Sequence, residues 1–128
     1  MKIIIKTKII ELTPAIEEFI NEKIGGLQKF VQSCHRDDEW ERVKSTCDFF
    51  VEIEKETKHH RKGPYFKAEV KISLPGKTIV AAANNEDLRS AIVEVKDEMQ
   101  QEMKKYKAKM IEAKRRELKK KRMKAQVI

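Results

Sequence analysis

The chain has 128 residues, of which 40% are hydrophobic and 39% charged, and this length excludes two domains with cores of their own. Its net charge of +8 arises in one place: residues 104–124 contain twelve basic and two acidic side chains, whereas the rest of the chain contains 17 basic and 19 acidic ones. A basic segment on a nearly neutral body predicts a polyanionic partner. A solvated, disordered tail is the alternative for the last ten residues.

No run of apolar residues approaches the roughly 20 that a membrane-spanning helix needs, and no charged-then-apolar signal peptide opens the sequence. We therefore expect a cytoplasmic protein without a membrane partner, in which Cys34 and Cys47 are reduced thiols. A zinc site built from these cysteines and the nearby histidines is disfavoured, because their spacing matches no CxxC-type pair.

The first part of the chain predicts a strand followed by a helix. Residues 2–10 form the strand, because isoleucines alternate with lysines along most of its length. Thr13-Pro14 then suits the N-cap and first turn of a helix. Apolar residues follow helical spacing across residues 16–30, and Gly25-Gly26 weakens the helix in its second half.

Residues 32–45 are polar and of mixed charge, which predicts a loop with at most a helical turn around Trp40. Three strands are expected at 46–57, 65–74 and 77–83, with a turn at Pro75-Gly76 between the last two. Their clean alternation of apolar and polar residues indicates an antiparallel sheet with one solvated face. Cys47 is expected to be a core residue of its strand.

Residues 84–87 predict the start of the last helix, with an asparagine as the cap and acids in the first turn. From Leu88 to Met110 apolar residues step by three and four, and neither glycine nor proline interrupts residues 86–118. A helix of about 30 residues would be roughly 45 Å long. The sheet is too short to cover that length, so the C-terminal part is expected to project.

These elements predict an α+β fold of order β-α-β-β-β-α. Two helices would pack on one face of a four-stranded, mainly antiparallel sheet, as in double-stranded-RNA-binding domains. Residues 1–110 would form the domain, and residues 111–128 a basic helical extension or arm.

Two clusters of cations are candidate RNA-binding surfaces. The first begins inside the last helix, where lysines interleave with the apolar stripe; a rigid row of cations about one turn apart can match successive phosphates. The second, residues 58–64, lies at an expected hairpin tip, where an ordinary solvated turn is an equal alternative. The candidates are Lys104, Lys105, Lys107, Lys109, Lys114, Arg115 and Arg116 in the helix, and Arg61 and Lys62 at the tip.

The sequence offers little to an enzyme. It has four glycines, no Gly-rich phosphate loop, and no GxSxG or HExxH motif. Glu52, Glu54 and Glu56 share one strand face, where we expect them to balance Lys67 and Lys71 of the next strand rather than to bind a metal. We expect no catalytic residue, metal, cofactor or small-molecule substrate.

Several stretches resemble the ribosome hibernation factors, the family of the short hibernation-promoting factor and the ribosome-associated inhibitor also called protein Y. The first helix is similar in ELTPAIEEFINEKIGGLQKF, and the second strand in VEIEK. The most specific stretch is AEVKISLPGKTIVAAANNEDLRSAIVEVKDEMQQEMKKYKAKM, which resembles the family's strand, turn, small-residue strand and Lys-rich helix. The resemblance covers residues 1–110 except for the 32–45 loop, which is longer than usual.

By this resemblance, the protein is expected to be a stress-response factor that binds rRNA between the head and body of the small ribosomal subunit. It would block the path of mRNA and of the tRNA anticodon stems, and it would be monomeric off the ribosome. The family's rRNA-contacting positions correspond to Lys23, Lys29, Arg89, Lys96, Lys104, Lys105, Lys107 and Lys109.

Some features depart from the family. Gly26 stands where a lysine is frequent, and Glu98 and Glu102 weaken the middle of the last helix as an RNA surface. The tail is basic, unlike that of the inhibitor. We expect no C-terminal dimerisation domain of the long form, and hence no self-driven ribosome pairing by that route. A generic double-stranded-RNA-binding module is the alternative function, and an enzyme built on the strand glutamates and the histidines is a third.

Overall fold

The computed structural model describes residues 1–56 and 65–126, which form an α+β fold, as predicted. Four strands and four helices lie within these residues. In chain order they are β1 (Ile3–Lys8), α1 (Pro14–Gly25), α2 (Gln28–Ser33), α3 (Asp37–Thr46), β2 (Phe49–Glu56), β3 (Tyr65–Leu74), β4 (Lys77–Asn85) and α4 (Leu88–Gln126).

The strands form one open, mixed sheet in the order β1-β2-β3-β4. β1 and β2 are parallel, because the three helices between them return the chain to the same end of the sheet. The other two pairings are antiparallel. β3 and β4 meet at Pro75-Gly76, where Gly76 has a φ of 80°. A glycine after proline supplies that left-handed conformation without a Cβ clash.

The core lies on one face of the sheet. The register aligns Val51 with Val70 and Val70 with Ala81, and these three side chains are buried. α1 and α4 pack on this face. On the opposite face, Phe50 and Val80 are about half exposed, at 47% and 50%. The period-two alternation therefore predicted the buried and solvated faces correctly.

The glycine pair divides the expected first helix in two. Thr13 caps α1, because its Oγ1 accepts a hydrogen bond from the backbone N–H of Ile16 at 3.3 Å. α1 ends at Gly25, and α2 begins only at Gln28. Residues 16–30 thus share one apolar stripe but occupy two short helices.

The prediction of a loop at residues 32–45 is wrong, because α3 occupies Asp37–Thr46. Trp40 and Val43, three residues apart, bury an apolar face at 8% and 3% exposure. Three acidic side chains in the first turn stabilise α3, because they lie at the positive N-terminal end of the helix dipole. Cys47 is buried as expected, but it caps the C-terminus of α3 and does not lie in β2.

α4 is 39 residues long, more than the expected 30, and its cap differs from the prediction. Asn84 and Asn85 still belong to β4. The Oδ2 atom of Asp87 accepts hydrogen bonds from the backbone N–H and the hydroxyl of Ser90, at 3.0 and 2.7 Å. These bonds lower the pKa of the Asp87 carboxyl. Asp87 is therefore the capping residue.

Candidate nucleic-acid interface

The packed part of α4 is the rigid base of the candidate interface. Its apolar stripe covers β3 and β4 and is buried as far as Tyr106. The Tyr106 hydroxyl donates a hydrogen bond to the carbonyl oxygen of Pro75 at 3.2 Å, which fixes the helix to the β3–β4 turn. Burial raises the pKa of the Tyr106 phenol further above neutral pH. The helix backbone that carries the cations beside this stripe is therefore held in a fixed position.

Phe19 brings together two of the cations that the sequence singled out. The Nζ atom of Lys23 lies 5.6 Å from the centroid of the Phe19 ring, and the Cζ atom of Arg89 lies 5.2 Å from it. Both distances are within cation–π range. Lys23 follows Phe19 by one turn of α1, whereas Arg89 comes from the first turn of α4. The ring therefore holds two positive charges at the junction of the two helices.

Lys107 is tied to α2. Its Nζ atom lies 5.8 Å from the centroid of the Phe30 ring and donates a hydrogen bond to the Ser33 hydroxyl at 3.3 Å. Its side chain is accordingly half-buried. Burial also raises the pKa of the neighbouring Cys34 thiol, although the charge of Lys107 opposes the increase. The Lys107 ammonium group therefore already has partners within the fold, and fewer of its N–H donors remain for a phosphate.

The four lysines near residue 106 do not stand in one row. An α-helix advances about 100° per residue, so Lys104 and Lys107 fall on one side of the buried stripe and Lys105 and Lys109 on the other. Lys104, Lys105 and Lys109 are exposed. Lys105 pairs with Glu102 at 3.2 Å. The four lysines thus form two pairs, one on each side of the buried stripe of α4.

The remaining predicted RNA-binding residues differ in how exposed and how free of ion pairs their side chains are. Lys29 is exposed on α2, whereas Lys96 is half-buried and pairs with Asp97 at 3.1 Å. Arg61 and Lys62 lie outside the described residues.

The C-terminal part of α4 extends beyond the residues that pack on the sheet. Every side chain from residue 111 to residue 124 is exposed, and these residues remain helical. Lys114, Arg115 and Arg116 lie in this segment, where Arg116 pairs with Glu112 at 2.8 Å. We call residues 111–126 the arm.

The strand glutamates are arranged differently from the expectation. The nearest cation to Glu52 is Lys8 of β1, 3.0 Å away, which lowers the pKa of the carboxyl and raises that of the ammonium group. Across from Glu52 on β3 stands Glu69, whereas Glu54 does face Lys67. Among the described residues, no three His, Cys, Asp or Glu side chains are grouped to hold a metal ion.

Phe19, Phe30 and Ser33 were missed as parts of the site. The sequence could have predicted the contact of Phe19 with Lys23, because residues four apart on one helix are neighbours. The contacts of Arg89 with Phe19 and of Lys107 with Phe30 were not readable, because they join distant parts of the chain.

Comparison with known proteins identifies the family. Residues 3–111 match the family described as sigma 54 modulation protein / S30EA ribosomal protein. The chain belongs to this family. The resemblance to the ribosome hibernation factors is thereby confirmed, and the S30EA match covers the sheet, α1–α3 and α4 as far as the start of the arm.

Similar proteins carry names from the same group. A relative from Lactococcus lactis subsp. cremoris (strain MG1363), a ribosome hibernation promotion factor, is 27% identical over 112 residues, or 86% of this chain. The chain spans about half of that relative, 51% of its length.

Two solved structures share the S30EA fold. The ribosomal subunit interface protein from Coxiella burnetii has a TM-score of 0.63 at 16% identity, covering 84% of this chain and 99% of its own. The N-terminal domain of Thermus thermophilus protein Y has a TM-score of 0.55 at 20% identity, covering 82% and 94% respectively. In the described part of this S30EA chain, no helix is long and apolar enough to cross a membrane.

Proposed function

We propose that this protein is a ribosome hibernation factor that binds the rRNA of the small subunit in the decoding region and blocks mRNA and tRNA. The observation that carries the proposal is the match of residues 3–111 to the S30EA ribosomal protein family. The name of the Lactococcus lactis relative points to the same function. The proposal includes a cytoplasmic location and a monomeric state off the ribosome.

The charge distribution supports an RNA partner. Cations lie at three places on the helices: the α1–α4 junction, the two sides of the buried stripe of α4 near residue 106, and the arm. The residues that we propose to contact rRNA are Lys23, Lys29, Arg61, Lys62, Arg89, Lys96, Lys104, Lys105, Lys107, Lys109, Lys114, Arg115 and Arg116. Lys96 is the weakest of the described candidates, because its ammonium group already has a carboxylate partner.

Inhibition by this mechanism needs no bond-making chemistry. A protein that occupies the decoding region excludes mRNA and tRNA by its volume, so affinity and shape determine its effect. Phosphate contacts supply much of that affinity through the release of counterions, and they make it dependent on salt. Lys23, Arg89 and Lys107 already contact aromatic rings, so these three side chains lose less entropy on binding than unrestrained cations would.

Co-sedimentation with purified ribosomal subunits tests the partner. The protein should move with the small subunit at about 50 mM salt and dissociate progressively towards 200 mM. It should remain at the top of the gradient with the large subunit alone. Failure to move with the small subunit at the lowest salt would rule out the proposal.

A competition experiment separates this function from that of a generic double-stranded-RNA-binding module. The competitor is a perfect RNA duplex of about 20 base pairs, which is long enough for a duplex-binding domain. The duplex should displace the protein from small subunits only at a large excess of binding sites. Equal affinity for duplex and subunit would favour the generic module.

A further inference from the structure

The arm is the part of the molecule that the domain does not use. The last buried side chain of α4 is Tyr106, and everything from residue 111 to residue 124 is exposed. At 1.5 Å per residue, the arm extends about 24 Å from the body. It also begins where the family match ends, at residue 111. Packing within the protein therefore does not explain the basic composition of the arm, whereas a binding partner would.

Cations surround the arm on every side. With about 100° per residue, Arg115 and Arg122 fall on one side of the helix, and Lys120 and Lys124 on the opposite side. The remaining cations fill the intermediate directions and are Lys114, Arg116, Lys119 and Lys121. Among the described side chains of the arm, Glu112 with Arg116 is the ion pair that forms. A positive potential thus encircles the helix.

The side chains of the arm that the structure describes, residues 111–124, form no apolar face. Ile111 and Leu118, exposed at 42% and 57%, share the side that also carries Arg115 and Arg122. Met123 points about 120° away from Ile111. An amphipathic helix that lies on a membrane or in a protein groove needs a continuous apolar stripe. A helix that lies on one phosphate surface would use the cations of one side alone.

We propose that the arm inserts into a cleft of folded RNA whose phosphates face it from opposing sides. An α-helix with its side chains is about 10–12 Å wide, whereas the major groove of an RNA duplex is deep and narrow. The cleft therefore lies between RNA helices. Like charges one turn apart, such as Arg116 with Lys120, repel each other in the free arm, and phosphates on both sides remove that repulsion. This inference rests on the proposed function and names the RNA feature that the arm recognises.

Two matched double variants test the inference in the full chain. One carries Arg115→Gln and Arg122→Gln, and the other carries Lys120→Gln and Lys124→Gln. Each removes two charges, and glutamine keeps a helix propensity close to that of lysine and arginine. The control carries Lys2→Gln and Lys71→Gln, at exposed positions on the body. Circular dichroism establishes that all three remain folded.

The measurement is the affinity for purified small subunits as a function of salt, at constant Mg²⁺. In a cleft, both double variants lower the slope of log affinity against log salt by about two, roughly one for each phosphate contact, and the control changes it little. A decrease for one variant alone means attachment to a single surface and overturns the inference. No decrease for either variant, while the wild-type chain binds, overturns it and leaves the proposed function standing. No binding by the wild-type chain overturns both.

Vesicles containing phosphatidylserine provide the remaining test. Anionic lipid attracts any basic segment at low salt, so the affinities of both double variants for vesicles and for subunits are compared at the same salt concentration. Vesicle binding that both double variants abolish, without a change in their affinity for subunits, would assign the arm to a membrane surface and overturn the inference.

Discussion

The two parts of α4 differ in what determines their sequences. The packed part, residues 88–110, buries its apolar stripe against the sheet and has six basic and four acidic residues. The arm buries nothing between residues 111 and 124 and has eight basic and two acidic residues. One continuous helix therefore contains a segment that the core requires and a segment that the core ignores. We expect substitutions in the packed stripe to change stability, and substitutions of the arm cations beyond Lys114, whose charge acts on the pKa of His35, to change binding alone.

The largest effect on stability should come from the packed part. Met99→Ala removes a side chain that is fully buried, and we expect the free energy of unfolding to fall by about 2–5 kcal/mol. Met123→Ala, at a position with 59% exposure in the arm, should change it by no more than about 0.5 kcal/mol. Urea unfolding followed by circular dichroism measures both. Similar losses for the two variants would show that the arm is packed in solution.

The next largest effect concerns binding. Replacing Lys104, Lys105, Lys107 and Lys109 with alanine should abolish stable binding to small subunits and lower the salt slope by as much as about four. The domain should remain folded, because three of these side chains are exposed and Lys107 is half-buried. Alanine at Lys2, Lys6, Lys44 and Lys71 is the matched control. If the control loses as much affinity, net charge and not position governs binding.

Acid should destabilise the fold by protonating His35, a buried residue whose pKa depends in part on a lysine of the arm. Its side chain is 3% exposed, and its Nε2 atom has no hydrogen-bond partner among the described residues. Burial lowers the pKa of His35, and Lys114 of the arm lowers it further, while Glu39 opposes both.

The native state therefore holds His35 neutral, whereas the unfolded chain protonates it near pH 6.5. Stability is fully present above that pH and should decline below it until the folded-state pKa is reached, with a slope of at most about 1.4 kcal/mol per pH unit from this group. Urea unfolding at several pH values between 7.5 and 5 measures the slope. His35→Gln should flatten it, and an unchanged slope in that variant would assign the effect to other groups.

The smallest effect is expected at the start of the packed part. Phe19→Leu removes the ring beneath Lys23 and Arg89, and we expect the free energy of unfolding to fall by about 1 kcal/mol with the loss of the two cation–π contacts. Phe50→Leu on the open face, 47% exposed, is the control. Equal losses for Phe19→Leu and Phe50→Leu would mean that the two cations contribute nothing measurable.

Local sequence patterns predicted the parts of this fold that depend on neighbours along the chain. The Thr13-Pro14 start of α1, the Pro75-Gly76 turn and the alternation of β3 follow from capping, φ preference and period two. α3 was missed because its polar residues outnumber Trp40 and Val43, and two buried residues in a short segment give a weak periodic signal. Tertiary packing of those two side chains decides the structure there.

The candidate interface was predictable in composition but not in geometry. The sequence located the excess of cations in residues 104–124 without knowing the α1–α4 packing. The Phe19 contact with Arg89 and the position of Lys107 on α2 depend on long-range packing that no local pattern encodes. The separation of the lysines near residue 106 into two pairs, in contrast, follows from the helical period and was open to prediction.

We propose above all that this S30EA protein makes the small subunit unavailable to mRNA and tRNA. The direct test is to saturate purified small subunits with the protein at low salt and then to measure the binding of labelled mRNA together with its cognate tRNA. We expect that both fail to bind, and that prior binding of mRNA and tRNA in turn excludes the protein. Simultaneous binding of protein, mRNA and tRNA to one subunit would contradict it.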